Sequence, residues 1–93
     1  MIGREIVTLT GHPFSLVFED LSSGGYVWTC TDKPGTIQLL ATARGERLDR
    51  PDEVTFVFLA LSAGEFVLTF ELTRPWESVP ADELEVRVKV IDN

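Results

Sequence analysis

The chain has 93 residues, one cysteine and one histidine, and its 15 acidic against 8 basic side chains give a formal net charge of -7. That length holds one domain, the lone cysteine excludes an intrachain disulfide, and the acidity argues against nucleic acid or an anionic membrane surface as a partner. No apolar run approaches the ~20 residues of a membrane-spanning helix, and the start MIGREIV lacks a basic region followed by an apolar core. The expected location is the cytoplasm if the chain is complete, and the periplasm or the exterior if a leader was removed.

Residues 5–10 and 14–19 read as two short strands separated by Gly11-His12-Pro13, with Phe14, Leu16 and Phe18 on one face. In the next segment, Asp20-Leu21-Ser22-Ser23-Gly24-Gly25, four consecutive small residues cannot pack a core, and paired glycines open backbone angles closed to other residues. A loop of unusual conformation is expected there. The chain re-enters a sheet at Tyr26, with Tyr26, Trp28 and Cys30 sharing one face and Val27 and Thr29 pointing away. Asp32-Lys33-Pro34-Gly35 is a turn by composition.

Residues 36–43 are β-rich, but Ile37 and Leu39 against Gln38 and Leu40 alternate less cleanly, which predicts partial burial on both faces. The segment 44–53, RGERLDRPDE, carries charge on seven of its ten side chains and reads as a solvated excursion with Leu48 tucked beneath it. Val54, Phe56, Phe58 and Ala60 mark the next strand, which Ser62-Ala63-Gly64 is expected to turn back as a hairpin. The stretch GEFVLTFELTRPW then sets Phe66, Leu68, Phe70 and Leu72 on one face at period 2. It breaks at Arg74-Pro75-Trp76, because proline has no N–H for the ladder. A loop over 77–82 leads to the last strand, with Leu84, Val86, Val88 and Val90 inward and Glu85, Arg87 and Lys89 outward.

No segment spaces its apolar residues at i, i+3, i+4, i+7. The chain is therefore all-β, about seven strands in an antiparallel β-sandwich with Greek-key connections. Alternate connections of such a sandwich gather at the same end. The three that look unlike ordinary turns, 21–25, 44–53 and 74–82, are separated by even numbers of strands and should lie together.

Chemistry is scarce. His12 in its turn and Cys30 on its strand read as a surface residue and a buried one rather than a catalytic pair. Glu19 with Asp20 and Asp52 with Glu53 read as loop and strand-end charges rather than acid/base pairs. One histidine and one cysteine do not make a zinc site, and Asp49, Asp52 and Glu53 lack the spacing of a calcium loop, so neither metal nor cofactor is expected. The composition favours a binding module over an enzyme. Trp76 beside Arg74 has the make-up of an interface anchor, and equally of a lid folded over the sandwich end with Arg74 held by an acid. Ser22 to Gly25 permits close approach by a partner but on its own reads as a plain turn. Tyr26 and Trp28 read as support, and Arg44, Arg47 and Arg50 as a solvated face.

The Gly64 turn with its apolar strand and Arg74-Pro75-Trp76, preceded by a small-residue loop leading into Gly25-Tyr26-Val27-Trp28, resembles the chagasin-type inhibitors of papain-like cysteine proteases. The resemblance runs from about Phe14 to the C-terminus. It implies a single immunoglobulin-like antiparallel sandwich over residues 1–93, which competes reversibly with substrate by filling a protease's cleft with three loops. A monomer is expected, although unpaired edge strands leave pairing of two copies open. The first would be Leu21, Ser22, Ser23, Gly24, Gly25 and Tyr26, in place of the family's Asn-Pro-Thr-Thr-Gly, of which Gly25 is retained and Ser23 keeps a hydroxyl. The middle loop would be Arg50, Pro51, Asp52 and Glu53, where the family is glycine-rich. The third would be Arg74, Pro75 and Trp76, which match in full. Each side-chain hydrogen bond lost from the first loop is worth about 0.5–1.5 kcal/mol net, so weaker binding is implied. A non-inhibitory interaction module on the same fold is the alternative.

Overall fold

The structure, a computed structural model, describes residues 2–45 and 52–93. Among the described residues seven strands run in order: β1 (Ile2–Leu9), β2 (Pro13–Glu19), β3 (Val27–Asp32), β4 (Ile37–Gly45), β5 (Glu53–Ala60), β6 (Gly64–Thr73) and β7 (Asp82–Ile91). They form a four-stranded sheet of order β1-β7-β6-β3 and a three-stranded sheet of order β2-β5-β4. All described pairings are antiparallel except β1 with β7, which run parallel from Ile2↔Glu85 to Leu9↔Ile91.

The period-2 pattern holds on the strands that carry the core. Leu16, Phe18, Val54, Phe56, Phe58, Ala60, Leu68, Phe70, Leu72, Val86, Val88 and Val90 are buried, and each alternates with a less covered neighbour. Phe70 sits at the centre, its ring 4.8 Å from Phe18, 5.2 Å from Phe56 and 6.1 Å from Phe58 between centroids. Burying side chains of this size is worth about 1.5–3 kcal/mol each, which is the main force joining the two sheets. On the open side between β1 and β2, the Arg4 guanidinium donates to the Val17 carbonyl (2.7 Å) and lies 4.5 Å from the Phe18 ring centroid. A Cβ at Gly3 would overlap the tip of the Leu84 side chain, which would have to shift to admit it.

Several expectations are corrected. The expected β5–β6 hairpin does not form: β5 pairs with β2 and β4, and β6 with β3 and β7, so residues 61–63 cross from one sheet to the other. The two apolar faces meet through side chains across the core, and the Leu61 N–H stays with the three-stranded sheet by donating to Thr36 (2.8 Å). Along β4 only Ile37 is buried, and Gln38, Leu39 and Leu40 are all exposed. It is an edge strand with a register shift between Leu39 and Ala41, so neither face is covered as predicted. β3 starts at Val27, leaving half-buried Tyr26 in the preceding loop. Cys30 is half-buried rather than buried, and desolvation pushes its thiol up, so it carries no activated nucleophile. β4 also continues through Gly45, which shortens the polar excursion; Leu48 and the middle-loop residues Arg50 and Pro51 lie outside the described residues.

Candidate functional site

Strand direction puts the β2–β3, β4–β5 and β6–β7 connections at one end, and contacts tie them together. His12 lies at the other end, its ring Nε2 3.0 Å from the Asn93 amide nitrogen. The first loop is an ordered turn. Ser22–Gly24 forms a 3-10 turn, with the Gly24 N–H donating to Leu21 (3.1 Å), the Gly25 N–H to Ser22 (2.9 Å) and the Tyr26 N–H to Leu21 (3.3 Å). Gly25 ends it at φ 85, a left-handed conformation open to glycine at little cost. Ser22, Ser23 and Gly24 are exposed and project no bulk.

The third loop is fixed by its own sequence. The Glu77 N–H donates to the Arg74 carbonyl (3.0 Å), closing a turn with Pro75 at the position where its locked φ is preferred and Trp76 next, at the apex. The Arg74 Nε and Glu77 carboxylate pair across the same turn, and the Ala81 N–H to Leu72 carbonyl bond (2.7 Å) closes the loop at its base. Trp76 is 69% exposed, so it is no core plug. The Arg74 guanidinium lies between two rings, 4.3 Å from the Tyr26 centroid and 5.4 Å from that of Trp76. Arg74 thus meets a neighbouring acid, as one reading of the sequence held, while Trp76 remains offered to solvent.

One residue, Asp20, does more than the loop or strand-end charge that the sequence alone suggests. Asp20 accepts the Ser22 N–H on Oδ1 (2.9 Å), lies 4.0 Å from the Arg44 Nε through Oδ2, and donates its own N–H to the Asp52 carbonyl (2.8 Å). It joins the first loop to β4 through Arg44 and, through Asp52, to the residue just before β5. The legible signal was an aspartate two residues before a serine, the pattern of an Asx turn. Its carboxyl is held below the ordinary carboxylate range, chiefly by the Ser22 hydrogen bonds, with a smaller contribution from Arg44. A depressed folded-state pKa adds stability that is present above the unfolded value near 4 and lost as pH falls through the folded one. Asp20→Ala is therefore expected to cost about 1 kcal/mol at neutral pH. Urea denaturation at pH 7 and at pH 3 checks this: the gap to the parent protein should shrink in acid, and a gap of constant size would contradict the role.

The surface suits a macromolecule. A cleft of about 60 Å³ beside the loops, lined in part by Asp20, Tyr26, Trp28, Thr42 and Arg44, is far below the several hundred Å³ of small-ligand sites. Among the described residues no cluster of three potential metal ligands occurs. Trp28 is half-buried and packs on Phe18 at 5.0 Å between centroids. Asp52 is exposed and Glu53 half-buried at the first residue of β5. The structure therefore brings together Leu21 to Tyr26, Asp52 and Glu53, and Arg74, Pro75 and Trp76.

The fold is a small immunoglobulin-like sandwich whose β2–β3 and β6–β7 loops meet at one end, beside the strand ends that flank the β4–β5 connection. The chain belongs to the chagasin family of peptidase inhibitors: it matches the family described as Chagasin family peptidase inhibitor I42 over residues 8–90. Its function is peptidase inhibition, not catalysis, and nothing in the comparisons favours a non-inhibitory module. No curated protein sequence matches the chain significantly. Among solved structures, the fold is similar to the cysteine protease inhibitor EhICP2 from Entamoeba histolytica (TM-score 0.77, 19% identity, 95% of this chain and 85% of that one). It is also similar to amebosin in solution (TM-score 0.63, 16% identity, 94% and 88%). A third similarity is to part of an endo-fucoidan hydrolase of glycoside hydrolase family 107 (TM-score 0.61, 14% identity, 96% of this chain but 12% of that one). At these identities the likeness is one of fold.

Proposed function

We infer that the domain is a reversible, competitive inhibitor of papain-like cysteine proteases, acting as a single-domain monomer without a cofactor. The first loop lies over the catalytic Cys–His pair of the protease, with Trp76 as anchor on one side and the middle loop, Arg50, Pro51, Asp52 and Glu53, on the other. The observation that carries this reading is the pairing of a protruding, exposed Trp76 on a proline-set turn with a closed turn of small residues beside it. Trp76 supplies apolar area at low entropic cost, and the small residues let backbone approach the protease closely. The same closed geometry explains why the loop blocks without being cut: a chain curled into a 3-10 turn does not present the extended backbone that a cleft holds for hydrolysis.

No covalent bond is involved, so inhibition should reverse on dilution. Incubating the domain with papain, diluting, and following both enzyme activity and the mass of the domain tests this. Full recovery of activity with an intact chain is the expected result. A persistent adduct, or cleavage between Leu21 and Gly25, would overturn the mechanism.

A further inference from the structure

Gly25 is constrained twice, and only one constraint belongs to its own loop. Its left-handed backbone ends the 3-10 turn. Independently, a Cβ at this position would lie 2.5 Å from Cη2 of Trp76 and 3.3 Å from Cζ2 and Cζ3, all on the benzo edge of the indole. The first approach is closer than non-bonded carbon atoms tolerate, so a side chain at residue 25 must displace the ring or the loop. The edge of Trp76 therefore rests on bare backbone of the first loop, while the residue as a whole stays 69% exposed. Arg74 fills the adjoining space between Tyr26 and the indole, held from behind by Glu77.

We propose that Gly25 is a positioning residue for Trp76. The first and third loops are one preset unit, in which the bare backbone of Gly25 seats the anchor's ring before any protease arrives. The function of Gly25 is thus to leave room for the indole as well as to turn the chain. Its effect on binding passes through the tryptophan, with Arg74 and Tyr26 as the stack that keeps the ring from swinging away. A ring already in place loses less freedom on docking, which favours affinity without adding a contact. The proposal rests on the reading of this loop cluster as the inhibitory surface.

Two measurements test it. In the free protein, an NOE between the Gly25 Hα protons and the Trp76 ring protons is expected, and its absence would overturn the proposal whatever the protein inhibits. Against papain, Gly25→Ala is expected to raise the inhibition constant roughly tenfold, and the same substitution in a Trp76→Ala background several-fold less, since neighbours in contact are not additive. Equal effects in the two backgrounds would mean that Gly25 acts only through its own loop, and would sink the proposal. Unfolding temperatures of all four proteins separate this from global destabilisation. If the parent protein does not inhibit papain, the functional reading fails, while the NOE still decides whether Gly25 seats the ring.

Discussion

Trp76→Ala is expected to raise the inhibition constant against papain by roughly 30-fold or more, the equivalent of about 2 kcal/mol, with the melting temperature essentially unchanged. The two halves of this expectation have separate physical sources. Trp76 is 69% exposed and packs against no core residue, so truncating it removes little buried area from the folded domain. On a protease surface the same ring would be desolvated, and a large aromatic side chain seated in a pocket beside the central loop carries a disproportionate share of binding energy. A substitution that left inhibition intact in a normally folded domain would remove Trp76 from the anchor role. A large fall in melting temperature would instead assign it to the fold.

Inserting two glycines between Ser22 and Ser23 is expected to abolish measurable inhibition and to lower stability only slightly. The first loop is closed by the Leu21, Ser22, Gly24, Gly25 and Tyr26 backbone bonds, which two extra residues cannot preserve. The lengthened segment would enter the cleft in the wrong place and as a more flexible chain. The sandwich should tolerate it, because none of the buried core residues lies between Phe18 and Ile37 and loop closure entropy grows slowly with length. Inhibition assays paired with urea denaturation give the answer. Undiminished inhibition by the insertion variant would place the working surface elsewhere.

Alternation made the faces of the strands legible, and with them most of the core. Phe18, Phe56, Phe58, Leu68, Phe70, Val86 and Val88 were all identified by period 2, because a sandwich buries one face of each central strand. Periodicity does not say which strand supplies the hydrogen bonds at each edge. For that reason the crossing at residues 61–63 looks like a hairpin in the sequence, and the parallel β1–β7 pair leaves no signal there. β4 misled for a related reason: its mixed apolar sequence suits partial burial, but strand order makes it an edge.

The site divided along the same line. Counting strands places the β2–β3 and β6–β7 loops at one end together with the strand ends that flank the β4–β5 connection, and Arg74, Pro75 and Trp76 stand out by residue type. Asp20 does not, because its role lies in contacts to Ser22, Arg44 and Asp52, of which only the first is near in sequence. The Gly25 contact with Trp76 joins residues 51 positions apart and leaves no trace but a glycine already explained by its turn. Long-range contacts between loops depend on how the sheets are stacked, and a single sequence read locally does not encode that distance in any pattern.

The central claim is that these loops occupy the cleft that substrate would use. Papain is titrated with the domain in the presence of a fluorogenic peptide at several concentrations, and the apparent inhibition constant is followed against substrate concentration. A linear rise is the predicted result, since substrate and inhibitor exclude one another from the same cleft. An apparent constant that does not change with substrate concentration, or an enzyme that remains fully active at saturating domain, would contradict the account.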